Sequence, residues 1–184
     1  MTITPLKIPE VLLIRPNRYG DDRGWFEETW NQRRLAEAGM SVEFVQDNQS
    51  LSRNVGTVRG LHFQAPPHAQ AKLVRVAHGA VFDVAVDIRR GSPSYGAWVG
   101  AELSSENGAQ LFVPRGFAHG FATREPNTLV CYKVDGYYDR ASEGGIRFDD
   151  PELAIDWDIG ADEAVLSDKD LLLPTLADLG AVFA

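Results

Sequence analysis

The stretch KLVRVAHGAVFDVAVDI, residues 72–88, decides the fold class. Lys72 to Val76 and Val81 to Ile88 are rich in β-branched residues, which crowd a helix but suit a pleated surface. Between the two runs His78-Gly79 reads as a turn. In the second run Phe82, Val84, Val86 and Ile88 fall on one face, while Asp83 and Asp87 fall on the other. That is the period-two pattern of a strand with its apolar face turned inward. Runs of the same kind lie on either side: Val11 to Arg15, Glu43 to Gln46, Val55 to Gln64, Ala97 to Leu103, Gln110 to Pro114, Phe117 to Thr123 and Thr128 to Val134. Gly, Pro, Asn and Asp punctuate them. Closely spaced strands with turns between them indicate a sandwich or barrel, not a βαβ fold. One helix is expected near Asn31 to Ala38, capped by Asn31 and ended by Gly39. A second is expected near Pro174 to Leu179, with Gly180 just past it.

A chain of 184 residues and 20.3 kDa suits one domain, 1–184, and its 44% hydrophobic content supplies an ordinary core. The formal charge of −8 argues against a nucleic-acid partner. A few clustered cations could still hold an anionic small ligand. Cys131 is the one cysteine, so neither an intramolecular disulfide nor a Cys-rich zinc site is expected. Met1 to Arg18, broken by Pro5, Pro9 and Pro16, offers no apolar run for a signal peptide or a membrane span. The expected compartment is the cytoplasm, with no membrane partner.

The chain has four histidines, His62, His68, His78 and His119. His68 and His78 fall in loop and turn segments and read as solvated. His62 alone would read as a hydrogen-bonded structural histidine, and His119 as part of a turn packed by Phe117 and Phe121. Tyr132 shares a face with Val130 and Val134, so on pattern alone it is a core tyrosine. Asp168 and Arg23 would each be ordinary surface charges.

The spacing Gly56-x5-His62, then Gly108-x5-Pro114-x-Gly116-x2-His119, resembles the two motifs of the cupin superfamily, a small jelly-roll β-barrel. In a metal-binding cupin a second His would follow His62 by two positions, where this chain has Gln64. A Glu ligand would stand at Lys72, and a lysine cation cannot replace it. An all-β, cupin-like barrel with a few short helices and no metal is therefore expected.

A longer series of segments narrows the resemblance. It comprises Asp21-x-Arg23-Gly24-x-Phe26-x-Glu28, Val45-Gln46-Asp47-Asn48, Arg59-Gly60-Leu61-His62-Phe63-Gln64 and Lys72-Leu73-Val74-Arg75-Val76. It continues through Asp83-Val84-Ala85-Val86-Asp87, Pro114-x-Gly116-Phe117-Ala118-His119-Gly120-Phe121, Cys131-Tyr132-Lys133, Glu143-x-Gly145-Ile146 and Leu166-Ser167-Asp168-Lys169-Asp170. In this order the segments resemble the dTDP-4-dehydrorhamnose 3,5-epimerase family. The resemblance implies a cofactor-free inversion at C3 and C5 of a dTDP-4-keto sugar, in dTDP-L-rhamnose synthesis. It implies His62 as base, Asp168 as the carboxylate that orients it, Tyr132 as acid on the far face, and Lys72 beside the developing enolate oxygen. It implies substrate binding by Arg23, Phe26, Glu28, Gln46, Asn48, Arg59, Lys72, His119, Tyr138, Glu143 and Lys169. Arg23 and Lys169 would meet the diphosphate, and Tyr138 would stack on the thymine, with Phe26 also near it. The family pairs subunits, so a homodimer is expected, with the N-terminal part of one copy completing the other's site.

Arg59 and His62 are three apart and would face opposite sides of an ideal strand. A bulge at Gly60 would bring both to one site. Competing readings are a 3- or 5-epimerase or a ketoisomerase on the same scaffold, a non-catalytic sugar-binding cupin, and a metal-dependent cupin dioxygenase. Product NMR separates the first group, and metal analysis tests the last.

Overall fold

The structure is a computed structural model and describes residues 1–183. The N-terminal part supplies β1 (Thr2–Pro5), β2 (Leu12–Arg15), a hairpin of β3 (Arg18–Asp21) and β4 (Gly24–Glu27), and the helix α1 (Gln32–Glu37). Then come β5 (Gln46–Ser52), β6 (Val58–Gln64), β7 (Lys72–His78) and β8 (Ala80–Asp87). The remaining strands are β9 (Trp98–Ser104), β10 (Gln110–Val113), β11 (Phe117–Thr123), β12 (Thr128–Val134) and β13 (Glu143–Gly145). They form two antiparallel sheets, of order β1-β2-β10-β7-β12-β5 and β13-β6-β11-β8-β9, closed on each other as a cupin-like jelly roll.

Three apolar layers hold the sheets. Between them, Val74, Val76 and Val130 of the first sheet meet Val81, Ala85, Val99, Phe117 and Phe121 of the second. Leu153, Trp157 and Leu176 from the C-terminal segment cover the outer face of the second sheet, over Val84, Val86 and Ala118. Leu35 of α1 and Met40 cover the outer face of the first, over Ile14, Leu73 and Phe112. Full burial of a side chain such as Leu61 or Leu111 stabilises the fold by about 1.5–3 kcal/mol.

Several elements differ from the sequence reading. The helix near residue 31 is present: Asn31 caps it by accepting the Arg34 N–H at 3.1 Å, and Gly39 follows at φ +86°. The second expected helix is a series of turns, because tertiary partners take its backbone groups. The Leu176 N–H donates to Asp150 Oδ2 at 2.7 Å, and the Pro174 carbonyl accepts from Arg147 N–H at 2.9 Å. The strand expected at Glu43 to Gln46 begins at Gln46 and runs on to Ser52. Its more buried residues are Gln46, Asn48, Ser50 and Ser52, a polar inward face that hydrophobic patterning overlooks. In β8 both faces are buried. Phe82, Val84 and Val86 pack beneath the C-terminal segment, and Asp83 and Asp87 turn toward the interior with Val81 and Ala85. The proline-rich N-terminus contributes two strands to the first sheet, β1 at its edge and β2 beside β10.

The expected bulge at Gly60 is present. His62 pairs with His119 and Arg59 with Phe121, so Gly60 and Leu61 together oppose Gly120. A side chain at Gly60 has no room: a Cβ would lie 2.4 Å from Gly120 Cα and 2.7 Å from the His119 carbonyl oxygen, at a backbone φ of +132°. Gly60→Ala is therefore expected to lose roughly 2–4 kcal/mol of stability. Urea unfolding measures this, and a loss below about 1 kcal/mol would show that the two strands can part without cost.

Candidate active site

Two cavities open into the barrel, of about 470 and 410 Å³, and His62, Lys72 and Tyr132 line both. They occupy the junction between the two spaces. His62 stands on β6 in the second sheet; Lys72 on β7 and Tyr132 on β12 stand in the first. A ligand in the cavity thus has the imidazole on one wall and the phenol and ammonium on the other.

His62 Nε2 lies 2.6 Å from Asp170 Oδ1. Asp170 is only 6% exposed. Burial pushes its carboxyl up, but the hydrogen bond and charge of His62, the Ser167 hydrogen bond and the Lys169 charge outweigh this and hold it below the ordinary carboxylate range. An ionised Asp170 accepts the Nε2 proton and leaves the lone pair on Nδ1, the form of imidazole that acts as a base. This corrects the assignment to Asp168, which is exposed to solvent. The turn decides between them. The Asp170 N–H donates to the Ser167 carbonyl at 3.0 Å and to Ser167 Oγ at 3.2 Å, which swings Asp170 inward and Asp168 out. The sequence carries one sign of this, Ser167-x-x-Asp170, a capping spacing that Asp168 lacks.

Burial pulls the Lys72 ammonium down to about 8, against the opposing charge of Asp83. Its Nζ donates to the His62 carbonyl at 3.4 Å, so it lies next to that residue. Burial raises the Tyr132 phenol above its ordinary value, with Arg59 pulling the other way, so the group holds its proton at neutral pH. Arg59 is fixed across to β5 by Ser52 Oγ and the Leu51 carbonyl, both 3.1 Å away. His119 is buried and bonds both Asp83 oxygens through Nε2, at 2.9 and 3.0 Å. Burial lowers its basicity, and Lys72 and His62 add to that against the pull of Asp83, so the ring is neutral near pH 7.

The second cavity carries the polar groups Gln46, Asn48, Tyr138 and Glu143. Gln46 Nε2 donates to Asn48 Oδ1 at 2.9 Å, and Tyr138 Oη donates to Glu143 Oε2 at 3.0 Å. Lys169 forms an ion pair with Glu143 that lowers the carboxyl's proton affinity and ties the Asp170 loop to β13.

The donor set does not fit a cupin metal. Gln64 Oε1 is engaged by the Asp139 N–H at 2.8 Å, Lys72 offers a cation, and His119 is held by Asp83. Among the described residues no group of three or more His, Cys, Asp or Glu side chains is arranged to hold a metal ion. Gln64 instead pins the loop that carries Tyr138.

Comparison with known proteins shows the family. The family model described as dTDP-4-dehydrorhamnose 3,5-epimerase matches residues 5–178. The chain belongs to the dTDP-4-dehydrorhamnose 3,5-epimerase family. The Sinorhizobium fredii dTDP-4-dehydrorhamnose 3,5-epimerase is 51% identical, over 100% of this chain and 93% of that protein. A crystal structure of dTDP-6-deoxy-D-glucose-3,5-epimerase from Legionella pneumophila, in complex with dTDP-4-keto-L-rhamnose, superposes with a TM-score of 0.93 at 46% identity, covering 98% of this chain and 95% of that one. The dTDP-4-dehydrorhamnose 3-epimerase of Streptomyces niveus is 42% identical over 94% of this chain and 84% of its own.

The substrate-binding positions expected from the sequence divide in two. Gln46, Asn48, Arg59, Lys72, His119, Tyr138, Glu143 and Lys169 line one or other cavity. Arg23, Phe26 and Glu28 line neither. Arg23 stands in the β3–β4 turn, 89% exposed at its side chain, and pairs with Asp21; Phe26 is 69% exposed; Glu28 pairs with Arg34 at 3.1 Å. Arg18 anchors that hairpin away from the cavity through Glu27 and the carbonyls of Ser105 and Glu106. Residues the sequence reading gave no role also reach the site: Asp170, Asp83 behind His119, and Ser50 and Phe121 on the walls.

Asp170→Asn is expected to lower turnover on the order of 10³-fold, because an amide no longer fixes the His62 tautomer. Asp168→Asn should stay within about twofold of the parent, as surface changes usually do. Steady-state kinetics on both variants checks this; the reverse order would return the orienting role to Asp168.

Proposed function

We propose that this chain inverts C3 and C5 of dTDP-4-dehydro-6-deoxy-D-glucose to give dTDP-4-dehydro-L-rhamnose, a step of dTDP-L-rhamnose biosynthesis. The observation that carries this reading is the His62–Asp170 pair and Tyr132 on opposite sheets of one cavity, with the half-buried Lys72 cation beside them. The C4 ketone acidifies the hydrogens at C3 and C5. His62 Nδ1 removes a proton from one face and leaves an enolate. Lys72 stabilises the oxygen on which that charge develops. Tyr132 delivers a proton to the other face; solvent then takes the proton from His62 and returns one to Tyr132, and the cycle repeats at the second carbon. Every proton removed is replaced, so no oxidant, reductant or metal enters the balance.

The nucleotide half is read the same way. Lys169 and Arg23 are the diphosphate cations, and Tyr138 and Phe26 contact the base. Since Arg23, Phe26 and Glu28 stand outside the cavity of their own chain, they fit the site of a second copy, and we take the working unit to be a homodimer. Exposed Tyr19, Trp25 and Phe26 on the same hairpin support a contact there. Among the described residues no helix is long and apolar enough to cross a membrane, and we place the enzyme in the cytoplasm, with no nucleic-acid partner. A single inversion is the second reading, favoured by the 3-epimerase relative at 42% identity.

Incubation with dTDP-4-dehydro-6-deoxy-D-glucose in deuterated water, followed by NMR, tests the reading. Deuterium at both C3 and C5 of an L-configured product is expected. Inversion with label at C3 alone would replace the proposal with the mono-epimerase reading, and an unchanged substrate would refute both.

The pH profile gives a second check. The protonated Lys72 is the active form, so kcat/KM should fall as pH rises through about 8, roughly tenfold per pH unit above it. A profile still flat near pH 10, roughly the ordinary lysine value, would contradict a catalytic ammonium.

A further inference from the structure

Asp83 is fully buried on β8, yet among the described residues its carboxylate accepts hydrogen bonds from only one group, His119 Nε2. Its partners across the sheet are Phe121 on β11 and Ala101 on β9, which carry no charge. A buried carboxylate needs a counter-charge as well as a hydrogen bond. His119 does not supply one, because burial keeps that ring neutral near pH 7. Besides His119, the charged and titratable groups around the same cavity are Arg59, His62, Lys72, Tyr132, Lys169 and Asp170. Arg59 is directed to Ser52 and Leu51, His62 to Asp170, and Lys169 to Glu143. Lys72 is the cation left to balance Asp83.

We propose that Asp83 is a positioning residue that keeps Lys72 protonated at neutral pH, acting as the buried counter-charge behind the neutral His119. The two are linked through one cavity: Asp83 bonds the His119 ring, that ring and Lys72 line the same space, and the charge of Asp83 opposes the effect of burial on the ammonium. Without it, desolvation alone would bring the ammonium down toward the working pH, and the enolate would lose its stabilising charge in part of the molecules. His119 then has a double use: it presents an edge to the cavity and separates the carboxylate from the substrate. This inference rests on the reading of Lys72 as the enolate stabiliser.

The test measures the lysine and the reaction separately. In protein labelled with 13C and 15N lysine, NMR follows the Lys72 titration without turnover, while kcat/KM is recorded against pH. In Asp83→Asn the Lys72 midpoint is expected to fall from about 8 by roughly one pH unit, and the alkaline limb of kcat/KM to fall with it. Asp83→Ser, which removes the charge with a smaller side chain, gives the same readout should the amide variant not fold. An unmoved Lys72 midpoint in a folded variant, even with kcat lowered at every pH, would overturn the proposal and leave Asp83 as a support for His119 alone. A midpoint that falls while the limb stays in place would uphold the part played by Asp83 and refute the enolate role of Lys72.

Discussion

At Gly60 and Gly120 the backbones of β6 and β11 come together more closely than any side chain allows, and one extra residue of β6 is taken up opposite Gly120. The rest of the site depends on that contact. Downstream of it His62 stands opposite His119; upstream, Arg59 reaches the same cavity although it is three residues away. A regular ladder would turn one of the two to the outer face, which the C-terminal segment covers with Leu153, Trp157 and Leu176. The same segment, before it ends, brings Asp170 to His62. The bulge therefore sets both where His62 stands and the place where the carboxylate that meets it must arrive.

Electrostatics explains why the barrel end can be polar without coming apart. Buried carboxylates are each given a donor or a cation: Asp170 has His62, Asp83 has His119 with Lys72 beyond it, and Asp87 has Arg89, Ser92 and Ser94, which hold its carboxyl down at about 2 against burial. The exception in the other direction is Lys72, whose ammonium is desolvated to about 8 and held close to the His62 carbonyl. A cation so poorly solvated gains most where negative charge appears, the preorganisation that the proposed enolate chemistry requires. At the positions a cupin uses for metal ligands this chain has an imidazole bonded to Asp170, a glutamine that pins a loop, a cation and an imidazole held by Asp83.

The barrel was legible in the sequence because most of its strands obey period-two patterning and are bounded by Gly, Pro, Asn and Asp. β5 was not, since its inward face of Gln46, Asn48, Ser50 and Ser52 is polar for the sake of the cavity. β8 misled for the opposite reason: apolar cover on its outer face made Asp83 and Asp87 look like solvent residues. Of the cavity walls, His62, Lys72, Tyr132 and most of the expected binding positions could be read from motif order, and the bulge from a single glycine. Asp168 and Asp170 are not told apart by motif order: a short turn of backbone, fixed by Ser167, decides which one points inward, and only the Ser167-x-x-Asp170 spacing hints at it. Nor does motif order show that Arg23, Phe26 and Glu28 stand away from the cavity; that depends on how Arg18 anchors the hairpin.

The central claim is a division of labour across the cavity, with His62 taking the proton on one face and Tyr132 giving one on the other. NMR of the sugar in deuterated water, following label and configuration at C3 and C5 together, tests it most directly. His62→Asn should abolish both exchange and inversion. Tyr132→Phe should keep the base, so an enolate still forms and His62 returns deuterium to the face it came from: exchange with retained configuration and little inverted product. Near-normal inversion by Tyr132→Phe would make Tyr132 a core tyrosine, and loss of exchange as complete as in His62→Asn would show that proton removal itself needs the phenol; either result would contradict the account.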